Sequence, residues 1–555
     1  MAVEPSSPVL TSILLGLAVH QVFRKFETYS ISTHAALLTL PPLVTAVFNA
    51  PPGPPFEHAL KVSFVAYLAT LVLAILVYRV SPLHPLARYP GPLGCKLTKF
   101  WMGVISTRGY QHMYIKSLHD QYGSVVRIGP NELSILDASV VSKLYGNPGV
   151  PKGPHYIGRV LSDTNLPMVG LMDTDAHLRR RRNWTRGMGP VAIKGYEELI
   201  SKRVNQLLGR LEDQKGQAVI MGHWFNFFSY DFMCEMAFGG GSELLAAGKD
   251  EKKTWKVLDD AMAIATFFGH APWLAIYVAK IPGATGNFKI FLDYCISFTV
   301  TRLKRGSEHK DLFHYLNNED LPDKPSPPVQ QLVDDGVLAI VAGADTTASA
   351  LTMFVFCLLE HPEVYEKLQR EIDKHYPAGE DATDVKNHRE LLYLTACINE
   401  TLRVFPSVPG GSQRQVPVDG PGVVAGDLVL PPGTMFWCHI YSHHMSPANF
   451  APHTTDFWPE RWLLASGELA EARGVCNADL VHNESGFLPF SAGPMNCVGK
   501  ALAMQEMRTV VVALLQRFVL KKGASWDEVR VRRDYKDYFT APRPEFPVEV
   551  HARKQ

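Results

Sequence analysis

The sequence predicts a mainly α-helical protein with a small β-region, carried behind an apolar N-terminal region. Three observations lead there. From about 190 to 380 the apolar pattern is mostly helical, broken at Gly239-Gly240-Gly241, Pro282-Gly283 and 322–328. The stretch 500–518 repeats Ala503, Met507, Val510, Val511, Leu514, Leu515 and Phe518 at helical spacing. Strand-like alternation is confined to short pieces, above all 122–135, with Pro130-Asn131 as the turn of a hairpin.

The N-terminal region holds three uncharged blocks: 9–23, followed by Arg24-Lys25; 35–50, split by Pro41-Pro42; and 62–78, between Lys61 and Arg79. The third is the best membrane span, near the lower limit for crossing about 30 Å of hydrocarbon. Residues 1–86 therefore hold one to three transmembrane helices. Arg24, Lys25, Arg79, Arg88 and Lys96 favour an outside N-terminus with three crossings. One anchor plus interfacial segments is the alternative. Glu4 and the lack of early basic charge speak against a cleaved signal peptide. Prolines in Ala87-Arg88-Tyr89-Pro90-Gly91-Pro92-Leu93 stiffen the chain, placing a boundary before a domain at 87–555.

At 555 residues the chain can bury a large core. Lys+Arg 55 against Asp+Glu 54 leaves almost no net charge, and no basic tract with interleaved aromatics suggests nucleic acid. The eight cysteines form no C-x-x-C pair, which fits a reducing compartment and argues against a zinc ribbon.

Chemistry concentrates in four places. Cys497 stands in a Gly/Pro-punctuated loop, 490–499, ahead of the 500–518 helix. Free N–H groups at the helix start favour its thiolate, the metal-binding form. For a lone cysteine, a buried structural role is the plainer reading. In the basic run 173–184, His177 and Arg181 are four apart and share a helix face from which both can donate to carboxylates; a solvated helix start is the plainer reading of such a run. The run 337–359 is apolar but for Asp345, and hydropathy alone makes it a membrane helix. Its Ala342-Gly343-Ala344-Asp345-Thr346-Thr347 suits a buried helix instead, where small residues admit a ligand and an Asp-Thr pair relays protons. Glu400 and Arg403 face each other on a helix, a pair that at a surface contributes little.

The loop resembles the haem-ligand loop of the cytochrome P-450 superfamily, Phe-x-x-Gly-x-Arg-x-Cys-x-Gly. Phe490, Gly493, Cys497 and Gly499 match, and Met495 stands at the arginine position. The resemblance implies Cys497 as axial iron ligand of haem b. It implies propionate contacts from His177, Arg181 and Arg414, with Arg182 and Trp184 as further candidates. At Met495 the usual contact is lost or taken over by His177, Arg181 or Arg414. It makes Thr346 the oxygen-activating hydroxyl and Asp345 its proton-delivery partner, and joins Glu400, Arg403 and Arg461 in a structural triad. It runs over about 87–550: 87–93 resembles the proline-rich linker after a microsomal anchor, 122–135 is similar to fungal members, and 538–542 fits the last hairpin.

The fold implied is the cytochrome P-450 fold behind an N-terminal membrane anchor. The function implied is insertion of one oxygen atom of O2 into a hydrophobic small molecule, with NADPH electrons from a cytochrome P-450 reductase. Cytochrome b5 is a further candidate partner, and Lys500 a candidate for the basic proximal face that receives the electron donor. The location implied is the endoplasmic reticulum membrane, in contact with lipid, with the catalytic domain cytosolic. The fungal character points to secondary metabolism or xenobiotic oxidation. A haem-thiolate isomerase or dehydratase needing no O2 is the alternative, against which the Asp345-Thr346 pair weighs. Specificity is expected from 152–172, 225–238, 267–277 and 408–411, all read as apolar and aromatic.

Overall fold

The computed structural model describes residues 8–26, 28–48, 55–251 and 254–553. Glu4 and the end of the second apolar block, Asn49-Ala50, lie outside these.

The three N-terminal blocks form helices α1 (Pro8–Lys25), α2 (Ile31–Phe48) and α3 (Phe56–Val80), packed together around Val19, Tyr67 and Leu71. The sequence splits the second block at Pro41-Pro42, but α2 runs through both prolines. A proline at 41 cannot bond the carbonyl of Leu37. That carbonyl instead accepts the Tyr67 hydroxyl of α3 at 2.6 Å, so the gap in the helix is closed by its neighbour. Both α2 and α3 are long and apolar enough to cross a membrane. Arg79 ties α3 to the rest of the chain: its Nη1 donates to Leu97 O at 2.6 Å, and its own carbonyl accepts Arg127 Nη2 at 2.9 Å.

The expected hairpin is β1 (Val125–Gly129) paired antiparallel with β2 (Glu132–Ile135). Helices α4 (His155–Val160), α5 (Thr174–Gly187), α6 (Met221–Phe238), α7 (Thr254–His270) and α8 (Pro272–Ala279) follow. The core is organised on α9 (Val329–Glu360), whose residues from Ala344 to Leu359 are all buried except Thr346. The run 337–359 is thus an interior helix, although its length and composition would also suit a membrane. A helix apolar on every face must bury every face. Its chief partner is α6, itself buried almost throughout from Phe225 to Phe238. Gly343 lets the two cross closely, since a β-carbon there would lie 2.4 Å from Met233 Sδ.

Next come α10 (Leu392–Val404), β3 (Arg414–Gln415), β4 (Met435–Cys438), α11 (Glu460–Ser466) and α12 (Lys500–Arg517). The main sheet has the order β1-β2-β4-β3, with β2 parallel to β4 and β3 antiparallel to it. A second sheet joins Phe518–Lys522, Pro547–Ala552 and Ala218–Ile220.

Candidate functional site

The loop before α12 turns through a short 3-10 segment, Gly493–Met495. The Cys497 N–H donates to Phe490 O at 2.9 Å, closing the loop on itself, and half-buried Phe490 packs its ring on the main core. Gly493 is at φ +69°, and a β-carbon there would lie 1.7 Å from Tyr145 O, so only glycine fits. Of the eight cysteines only Cys497 is exposed. Its thiol is nevertheless surrounded by enough protein to be desolvated. The expected bias toward thiolate is reversed in the isolated chain. Burial pushes the thiol up, and the Gly499 N–H with Arg181, Lys152 and Lys500 pulls it only part of the way back. A bound metal ion would supply the positive charge that favours the thiolate.

Helix α5 starts at Asp173, whose carboxylate accepts Ala176 N–H at 2.6 Å. Arg180 docks it on α9, its Nε donating to Asp335 Oδ2 at 2.8 Å. This holds His177 and Arg181 inward. Arg181 reaches the cysteine loop with two bonds of 2.6 Å, to Asn496 O and Asn496 Oδ1. Buried His177 shares Nδ1 with Met168 O at 2.9 Å, and its Nε2 has no partner. Trp184 is buried, whereas Arg182 is exposed.

On β3, Arg414 is buried, its guanidinium 4.6 Å from the Tyr145 ring centre. Its Nη1 lies 3.1 Å from Val150 O and 2.7 Å from Met495 Sδ, while Nε and Nη2 have no partner. Beside it lies Lys152, also buried, its Nζ donating to Ser412 Oγ at 2.9 Å. Among the described residues, neither Lys152, Arg181 nor Arg414 pairs with a carboxylate. Orphaned buried donors beside an open cysteine are the donor set that an iron cofactor bearing two carboxylates requires. The residues present fit haem.

On α9, Thr346 is half-buried on the one face of the helix that is not packed, one turn after exposed Ala342. Its hydroxyl donates to Ala342 O at 2.7 Å, and its carbonyl accepts Ser407 Oγ at 2.9 Å. Asp345 is buried and its ion-pair partner is Arg543, which also reaches Asp259 of α7 at 3.3 Å. No sequence pattern points to Arg543, which lies 198 residues away.

Glu400, Arg403 and Arg461 come together as expected, all fully buried. Glu400 takes Arg403 Nη2 at 2.8 Å and Arg461 Nε at 3.0 Å on Oε1, and Trp462 Nε1 at 3.0 Å on Oε2. Although burial opposes ionisation, Arg403 and Arg461 hold its carboxyl down to about 2. Arg403 also binds the carbonyls of His444, Thr454 and Asp456, locking the chain on the far side of α10.

Two expectations about specificity need correction. The stretch 225–238 is the core helix α6, sealed against α9, and offers no surface to a substrate. The stretch 152–172 is not simply apolar, for Lys152, His155 and Arg159 are buried in it. Arg159 binds Tyr538 O at 3.2 Å and lies 4.6 Å from the Phe539 ring centre. Cationic side chains in short apolar sequences are normally assigned to the surface, so burial was invisible here.

A helical fold with one open cysteine beside buried cations that lack a carboxylate partner has the donor set of a haem-thiolate protein. The cytochrome P-450 family model matches residues 90–531. The chain is 31% identical to cytochrome P-450 monooxygenase notG' of Aspergillus versicolor, over 99% of each chain. It is 31% identical to tryprostatin B 6-hydroxylase of Aspergillus fumigatus, over 88% of this chain and 84% of that one. The crystal structure of the cytochrome P-450DA heme domain superposes with a TM-score of 0.63 at 18% identity, over 80% of this chain and 93% of that one. The chain belongs to the cytochrome P-450 family. It is an oxidoreductase of the monooxygenase class.

Proposed function

We propose that the protein hydroxylates a hydrophobic organic molecule, using O2 and NADPH electrons passed on by a membrane-bound cytochrome P-450 reductase. Cys497 would hold the iron of haem b, and His177, Arg181 and Arg414 would meet its propionates. When bound, the haem supplies the redox chemistry that activates O2.

The chain's own residues do the rest. Thr346 presents its Oγ1 on the open face of α9, anchored by the Ala342 carbonyl, and can pass a proton from that atom. Asp345, once freed from Arg543, can take up a proton from solvent and return it to that hydroxyl. Half-buried Val337, Leu338 and Val341 pack the preceding turns of α9 onto the core. Exposed Lys500, at the loop itself, offers positive charge to an electron donor.

Residues 1–86 serve as the membrane region, with α2 and α3 as spans, and 87–555 as the catalytic domain on the cytosolic face of the endoplasmic reticulum. The tryprostatin hydroxylase relative supports a role in secondary metabolism. The observation that carries this reading is Cys497, the single exposed cysteine, with Arg181 bonded to the residue before it. Its test is the reduced carbon-monoxide spectrum. The thiolate-type red-shifted Soret band is expected and should vanish in Cys497→Ala; a band that survives the substitution overturns the reading.

A further inference from the structure

Three cations stand near Cys497, and one of them, Lys152, has no place in the sequence motifs. It forms an antiparallel bridge with Arg414, so the two side chains leave adjacent backbone positions. Only 4% of Lys152 is exposed, too little for its ammonium to reach bulk water. Of its three protons one goes to Ser412 Oγ, and its Nζ lies 5.5 Å from the Tyr156 ring centre. The ionisable groups around it are Arg414 and Arg181, of like sign, and the Cys497 thiol, which burial keeps protonated in the chain alone. A buried cation without a counter-charge is strongly unfavourable, and like neighbours make it more so.

The spare donors point the same way. Arg414 Nη1 is occupied by Val150 O and Met495 Sδ, which leaves Nε and Nη2 free. Lys152 adds a point charge with two free protons to that planar fork. Buried Met495 contributes only a thioether to the cluster. These free donors match an anion with two oxygens, next to the thiol that would hold iron.

We propose that Lys152 is a haem-propionate ligand, sharing one propionate with Arg414. This rests on the haem-thiolate reading above. Lys152→Gln removes the charge but can still donate to Ser412. Its holoprotein should lose haem to excess apomyoglobin about tenfold faster than wild type, as expected when a hydrogen bond to a charged group is lost. Lys152→Arg should hold haem like wild type. Met495→Arg, which sets a new cation against Arg414, should slow the loss from the Lys152→Gln protein. A second measurement needs no variant: wild type should release haem dimethyl ester, whose propionates carry no charge, faster than haem. Loss from Lys152→Gln at the wild-type rate, or equal retention of haem and its ester, overturns the assignment while leaving Cys497 as ligand. If instead the reduced carbon-monoxide band survives Cys497→Ala, the underlying reading fails.

Discussion

At Gly493 the backbone is left-handed, and the Tyr145 carbonyl lies where a side chain would begin. Gly493→Ala adds a left-handed cost of about 1–2 kcal/mol to a steric overlap that only movement of the 145–146 backbone can relieve. The expected result is protein with sharply reduced haem content and a lowered melting temperature, read from the Soret absorbance and a thermal melt. Thr346 makes a different prediction, since its hydroxyl bonds only its own helix and its removal leaves the fold intact. In Thr346→Ala, NADPH oxidation should continue while hydrogen peroxide release rises severalfold, and Thr346→Ser should restore coupling. Unchanged peroxide release would remove Thr346 from proton delivery. At this scale the sequence was most legible where a residue type has no substitute, as at Gly493 and Cys497. It was silent on Lys152 and Arg543, because a buried cation and a surface cation have the same letter.

Between α10 and α11 the Glu400 network shows what spacing reveals and what it hides. Three residues apart on a helix, Glu400 and Arg403 had to face each other. Nothing in that spacing distinguishes a solvated pair from one sealed at 0% exposure. Burial makes the difference, since removing one partner leaves the others charged and unpaired. Glu400→Gln should destabilise the protein by about 3–5 kcal/mol, measured by denaturant unfolding of the holoprotein. The pH dependence follows from the direction of the shift. The folded-state carboxyl titrates at about 2, below its unfolded value, so its stabilisation is present above the ordinary carboxylate range and lost as pH falls toward 2. On the order of 3 kcal/mol should disappear across that window in wild type, and Glu400→Gln should lack this component. Helix α2 gives the converse case. Its prolines predict a break, but Tyr67 of α3 takes the carbonyl that Pro41 frees. Local propensity was read correctly, and a contact between elements overrode it.

For the molecule as a whole, the division at about 87 makes a direct prediction. A variant starting at Pro90 lacks α1–α3 but keeps both sheets, α9 and the cysteine loop. It should leave the membrane fraction and retain the thiolate-type carbon-monoxide spectrum. Colourless or aggregated protein would mean that the N-terminal helices are part of the catalytic fold. This variant gives up the contacts of Arg79 with Leu97 and Arg127, of His84 with Asn131 and of Tyr89 with Val429.

The sequence by itself determined the helical class, the apolar N-terminal helices, the cysteine loop, the Asp345-Thr346 segment and the Glu400-Arg403 pair. Each is local: a period, a turn or a spacing within about ten residues records its own physics. Only the tertiary structure decided that α6 is sealed in the core, that Asp345 is held by Arg543, and that Lys152 lies buried beside Arg414. Those facts join residues up to 262 positions apart, since 414 − 152 = 262. Burial and charge pairing depend on what the rest of the chain folds against a residue, and no local pattern encodes that.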